Sequence, residues 1–176
     1  MIAPSPYELS SQSEVREAGS AHGLSADSPG VVAPPPLLYG FAFLVAAVMH
    51  SLFPMPIVAA NIAAGTGLAL LAIGAVLATW SRRTLEGAGT NVNPARPATI
   101  LVTTGPYRFS RNPMYLARTF LYVGLGFLAN ALSVLLALAP LLVVMHHGVI
   151  KREERYLEDK FGDAYRRYRA GVRRWL

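Results

Sequence analysis

The sequence predicts an all-α, integral membrane helical bundle of about four transmembrane helices, closed by a C-terminal helix at the membrane interface. Three observations carry that prediction. Two long stretches hold no Lys, Arg, Asp or Glu, one between Asp27 and Arg82 and one between Arg118 and Lys151. Each is long enough for a helical hairpin, and uncharged runs of this length belong to membrane spans rather than to a soluble core. Charged residues make up 15% of the 176 residues, where an ordinary soluble domain has about a quarter. The remaining charge, net +6, gathers where the apolar runs end: five Arg against Glu86 in 81–113, and nine Lys or Arg against five acids in 151–176.

Taken in order, residues 1–35 are rich in Ser, Pro, Ala and Gly and lack the basic start and apolar run of a signal peptide. They are expected to be a disordered extension ahead of one domain, 36–176. The first span covers about Pro36 to Phe53, Pro54-Met55-Pro56 makes a turn, and the second span covers about Ile57 to Trp80. Its small residues Ala59, Ala60, Ala63, Ala64, Gly65 and Gly67 allow close helix approach. Residues 81–112 form a polar connection broken by Gly87, Gly89, Pro94, Pro97, Gly105 and Pro106, with Ile100 to Thr104 suited to an extended run.

The third span starts at Asn112-Pro113, where Asn is a strong N-cap and Pro suits the first helical position, and ends near Asn130. The fourth runs from about Ala131 past the membrane to Lys160; Phe161-Gly162 stops it, and Asp163 caps a short last helix. In that last helix Tyr165, Tyr168, Val172 and Trp175 share one face and Arg166, Arg167, Arg169, Arg173 and Arg174 fill most of the rest. The pattern fits a helix lying in the interface plane, with docking on the polar connection as the alternative. The basic segments put both termini and both polar blocks on the cytoplasmic side, with the uncharged turns at 54–56 and near 130 opposite.

The chemistry is expected where two polar blocks return to one membrane face. On a regular helix Glu153 has Val149, Ile150, Tyr156 and Leu157 one turn away, which sets it on the apolar face. Glu154 falls beside Lys151 and Glu158, at the edge of the charged face. An ionisable group aimed inward at a membrane edge is a functional candidate by default. At the other block, the helix start at Asn112-Pro113 offers backbone N–H groups to an anion, Arg108 and Arg111 add positive charge, and Tyr107 and Tyr115 add aromatic faces. The plain alternative is a helix start whose Arg residues hold lipid phosphates. His50, His146 and His147 lack the spacing of a metal site, so none is expected. The chain has no Cys, which removes disulfides and thiolate chemistry, and it carries no nucleotide phosphate loop and no nucleic-acid module.

Together the blocks resemble the isoprenylcysteine carboxyl methyltransferase family of integral membrane methyltransferases. The likeness rests on Leu101-Val102-Thr103, Gly105, Tyr107, Arg111-Asn112-Pro113-Met114-Tyr115, Glu153-Glu154, Leu157, Phe161-Gly162, Tyr165 and Tyr168, and spans about residues 98–175. The Asn-Pro-Met-Tyr form is also similar to the phospholipid N-methyltransferases. The resemblance implies S-adenosyl-L-methionine as cofactor, held by Thr99, Ile100, Leu101, Val102, Tyr107, Asn112, Pro113, Met114, Tyr115 and Glu153, with Arg108, Arg111 and Glu154 as secondary candidates. It implies methyl transfer to an apolar or amphipathic acceptor reached from the bilayer, with no catalytic base assigned. A phospholipid amine, a small thiol and a non-enzymatic membrane role are the alternatives. Two positions depart from the family pattern: Asn112 stands for a His, and Val149 stands for an Arg that meets a substrate carboxylate, with Arg152 and Arg111 as candidate substitutes. The layout suggests a bacterial inner membrane.

Overall fold

The computed structural model describes residues 29–93 and 96–175. Among them the chain forms α1 (Pro35–Leu52), α2 (Ala60–Gly87), a short 3-10 turn (Gly105–Arg108), α3 (Pro113–Leu128), α4 (Leu132–Met145), α5 (Lys151–Phe161) and α6 (Asp163–Gly171). No strand occurs among the described residues, and Ile100–Thr104 is irregular. One wide turn, His146–Ile150, joins α4 to α5 without a break, so Leu132–Phe161 is a single rod of 30 residues. Pro140 lies inside it.

Three helices are long and apolar enough to cross a membrane: Pro35–Leu52, Ala60–Gly87 and Leu132–Phe161. The third expected span, α3, has only 16 residues. At 1.5 Å per residue it reaches about 24 Å, somewhat less than the hydrocarbon thickness. It runs beside α2, and glycine explains how closely. A Cβ added at Gly67 would lie 2.9 Å from the Gly124 carbonyl oxygen, and one at Gly74 would lie 3.0 Å from that of Ala117. Small residues let the two backbones touch, where packing rather than the hydrophobic effect drives association in lipid.

The two uncharged turns meet at one end of the bundle. Asn130, at φ 48°, accepts hydrogen bonds from the Ile57 and Val58 N–H groups and donates to the Val58 carbonyl. The Leu132 N–H bonds to the Met55 carbonyl. Asn tolerates the left-handed conformation better than other side chains that carry a Cβ. At the opposite end the polar segments collect. Tyr39 on α1 shares a hydrogen bond with Thr119 on α3 at 3.0 Å, and Tyr122 packs edge-on against Tyr39 and Phe43.

The expected extension, 1–35, falls for the most part on residues 1–28, which lie outside the described residues. The stretch from Pro29 to Pro34 is seated on the rod: the Val32 N–H bonds to the Gly148 carbonyl, and Arg152 donates to the Gly30 carbonyl. The last helix also departs from expectation in its outlook. The tyrosine face that composition would lay on lipid is turned into the protein, with Tyr165 buried and the Tyr168 hydroxyl donating to the Tyr107 carbonyl at 2.6 Å. Docking satisfies these hydroxyls, whereas lipid would not. Asp163 opens α6 from inside its first turn and accepts from Arg166, so the preceding Gly162, at φ 52°, is the capping position.

The glycine contacts predict that Gly74→Val lowers the melting temperature of the detergent-solubilised protein, by an amount equivalent to about 1–3 kcal/mol. Gly65→Ala, where a Cβ meets nothing within 4 Å, is expected to leave it unchanged or raise it.

Candidate functional site

The polar end of the bundle encloses a cavity of about 130 Å³. Its walls are the connection after α2, the start of α3, the inner face of α5 and the tyrosine face of α6. The sequence blocks therefore do converge. Ile100, Leu101, Val102, Tyr107, Asn112, Pro113, Met114, Tyr115 and Glu153 all line the cavity, as do Arg111 and Glu154. Thr99 and Arg108 are not among its lining residues. The Thr99 hydroxyl donates to the Gly89 carbonyl and its N–H donates to Thr90, which folds the loop on itself. Arg108 is exposed and stacks over Phe109, 4.4 Å from the ring centre.

The two adjacent carboxylates have separate fates. Glu153 reaches across to α3, where the Tyr115 hydroxyl donates to its Oε2 at 2.8 Å. Glu154 is buried and held by two guanidinium groups: Arg111 at 3.1 Å, and Arg174, whose Nε and Nη2 meet the two carboxylate oxygens at 2.9 and 2.6 Å. Sequence periodicity put Glu154 at the boundary of the charged face. The difference comes from outside the helix: Arg111 and Arg174, from distant segments, cover Glu154. Val149, the position that departs from the family Arg, is fully buried in the core.

The same ion cluster changes the expected role of the α3 start. Asn112 precedes the helix but its side chain caps nothing; Nδ2 donates to the Arg174 carbonyl at 3.1 Å. Pro113 has no N–H, and the Tyr115 and Leu116 N–H groups both bond to the Asn112 carbonyl. That leaves the Met114 amide as the first-turn donor, a thinner anion site than the sequence suggested. Arg111 is committed to Glu154, and its backbone N–H bonds to the Arg173 carbonyl. The C-terminal strap after α6 is thus sewn to the start of α3, with Ser110 also donating to the Arg174 carbonyl.

Three features of the site were not foreseen. Arg118 lines the cavity from α3, half-buried, with its guanidinium 5.5 Å from the Tyr115 ring centre. A signal for it existed: it stands three residues after Tyr115, on the same helical face, at the point where the uncharged stretch begins. Tyr165 and Tyr168 form part of the wall, a role their one-sided spacing left open. Arg174 had no local signal, since its partner lies 20 residues away in sequence. The cavity phenols outside the spans stay protonated. Burial, then the nearby Glu153 charge, pushes the Tyr107 hydroxyl well above the usual phenol range, and burial does the same for Tyr168. They act as neutral hydrogen-bonding groups at physiological pH.

The phospholipid methyltransferase family matches residues 62–164, and the chain belongs to that family of integral membrane methyltransferases, related to the isoprenylcysteine carboxyl methyltransferases. A cobalt-zinc-cadmium resistance protein, CzcN, of Cupriavidus metallidurans is 38% identical over 61 residues, covering 35% of this chain and 28% of that protein. A nickel-cobalt-cadmium resistance protein, NccN, of Alcaligenes xylosoxydans xylosoxydans is 36% identical over 66 residues, covering 38% of this chain and 31% of that protein. An uncharacterised Haemophilus influenzae protein is 60% identical over 35 residues, which cover 20% of this chain and 56% of that protein. The chain thus spans roughly a third to just over half the length of these relatives. No solved structure matches it.

The buried cluster predicts an asymmetric pair of losses. Glu154→Ala leaves two guanidinium groups without their carboxylate, and should destabilise the protein by roughly 3 kcal/mol. Arg174→Ala should have a smaller effect, because Glu154 keeps Arg111. Thermal unfolding in one detergent checks the order.

Proposed function

We propose that this protein is an S-adenosyl-L-methionine-dependent methyltransferase of the membrane, acting on an apolar or amphipathic acceptor. The observation that carries the reading is the Glu153 carboxylate in the cavity wall, whose hydrogen-bond donor is a neutral phenol rather than a cation. A carboxyl group with no guanidinium partner is left open to a ligand's positive group. The cofactor fits the residues present: its positive groups suit Glu153, and its flat base suits walls built from Ile100, Leu101, Leu157 and Tyr107.

S-adenosylmethionine supplies a methyl group already activated on a sulfonium, so transfer is an in-line displacement. The chain's own residues then have three tasks. Glu153, oriented by Tyr115, fixes the cationic end. The apolar wall and the docked α6 exclude water. The short α3 and the rod from α4 to α5 hold the donor and acceptor groups in register, where orientation supplies most of the acceleration. An acceptor that is already a nucleophile requires no proton transfer, so no residue is assigned as a base.

The exposed apolar faces of α1 and α2, with Phe41, Leu44, Ile62 and Leu68 open, support a bilayer setting from which an acceptor enters laterally. The basic segments at the cavity end favour the cytoplasmic side, and a bacterial inner membrane is the setting we infer. The metal-resistance names of two relatives belong to proteins of which this chain spans less than a third. Among the described residues no group of three His, Asp or Glu side chains gathers to support a metal reading.

Calorimetric titration with S-adenosylhomocysteine should show binding to the native protein. Glu153→Gln should weaken it by about tenfold or more, as expected for a lost charge-assisted contact, with the melting temperature of the free protein little changed. Tyr115→Phe should have a weaker effect of the same sign. Unchanged affinity in Glu153→Gln would remove that residue from the site. Incubation with methyl-labelled cofactor and a panel of fatty acids, phospholipid amines and small thiols then identifies the acceptor.

A further inference from the structure

Five charged side chains line the cavity; Arg96 is exposed, and of the other four, two neutralise each other and two do not. Glu154 and Arg111 form the buried ion pair that Arg174 completes. Glu153 and Arg118 remain. No carboxylate lies within 4.0 Å of Arg118 among the described residues, and its one specific contact is the face of the Tyr115 ring. Tyr115 therefore serves both: its hydroxyl holds the carboxylate and its ring carries the guanidinium. The result is a basic and an acidic side chain in one cavity wall, both set against Tyr115 and not joined to each other.

Opposite charges left apart in a largely apolar cavity are costly, since each has given up water without gaining the other. A ligand that is itself a compact zwitterion satisfies both at once. From this we infer that Arg118 and Glu153 form a clamp for an α-amino-acid group, Glu153 taking the ammonium and Arg118 the carboxylate. The inference rests on the proposed cofactor and names the part of it that the clamp reads, the methionyl end. It also moves the anion site away from the α3 start, where Arg111 is occupied and Pro113 offers no N–H. A zwitterionic lipid headgroup has the same pairing of charges, and the test separates the two.

The measurement compares S-adenosylhomocysteine with 5′-methylthioadenosine, which keeps the base and ribose but lacks the amino-acid group. The native protein should bind the first more tightly. Arg118→Met should lower affinity for S-adenosylhomocysteine about tenfold to a hundredfold, the range of one charged hydrogen-bonding contact, and leave 5′-methylthioadenosine unchanged. Arg118→Lys should recover part of the difference and guards against misfolding of the first variant. Native-like S-adenosylhomocysteine affinity in Arg118→Met would overturn the clamp, as would an equal loss for both nucleosides. Loss of binding to micellar phosphatidylethanolamine alone would overturn it too, assigning Arg118 to a lipid headgroup. Failure of the native protein to bind S-adenosylhomocysteine at all would instead overturn the proposed function.

Discussion

Two carboxylates emerge side by side from the end of an apolar rod, and the site depends on how each is compensated. Isolated buried carboxylates would protonate or drag water inward. Here Glu154 gathers two guanidinium groups from distant segments, and that single cluster ties α5 to the start of α3 and to the C-terminal strap. Glu153 receives only a phenol. One acid is spent on architecture, which leaves the other facing the cavity without a guanidinium partner.

This division follows from which segments pack over α5 more than from residue type. The wide turn at His146–Ile150 carries α4 into α5 without a break, and Glu153 faces inward as a regular helix would carry it. Wide turns of this kind recur at functional sites. The short α3 has a matching part. It lies backbone to backbone with α2 through Gly67, Gly74 and Gly124, and so presents Tyr115 and Arg118 from a fixed position.

Much of this was legible in the residues. Uncharged runs gave the membrane helices, and the two polar blocks predicted which segments would meet. Periodicity alone missed the surroundings of Glu154, because its partners Arg111 and Arg174 come from other segments and leave no mark on the helix pattern. The role of Asn112 was misjudged for a similar reason: its side chain is claimed by the Arg174 carbonyl, a partner 62 residues away, before it can cap its own helix. The Tyr165–Tyr168 face was read from spacing, but spacing cannot distinguish burial against protein from burial in lipid. Arg118 was visible as the edge of an uncharged stretch, and only the fold turns that edge into a cavity wall.

The central claim is that the Glu153 wall and the α3 start enclose one small ligand, the methyl donor. Ultraviolet cross-linking with radiolabelled S-adenosylmethionine, followed by peptide mapping of the detergent-solubilised protein, tests it most directly. Label in peptides covering 98–118 and 153–168, competed away by S-adenosylhomocysteine, is the expected result. Label confined to the uncharged turns at 53–59 and 129–131, or no label that competitor removes, would contradict it.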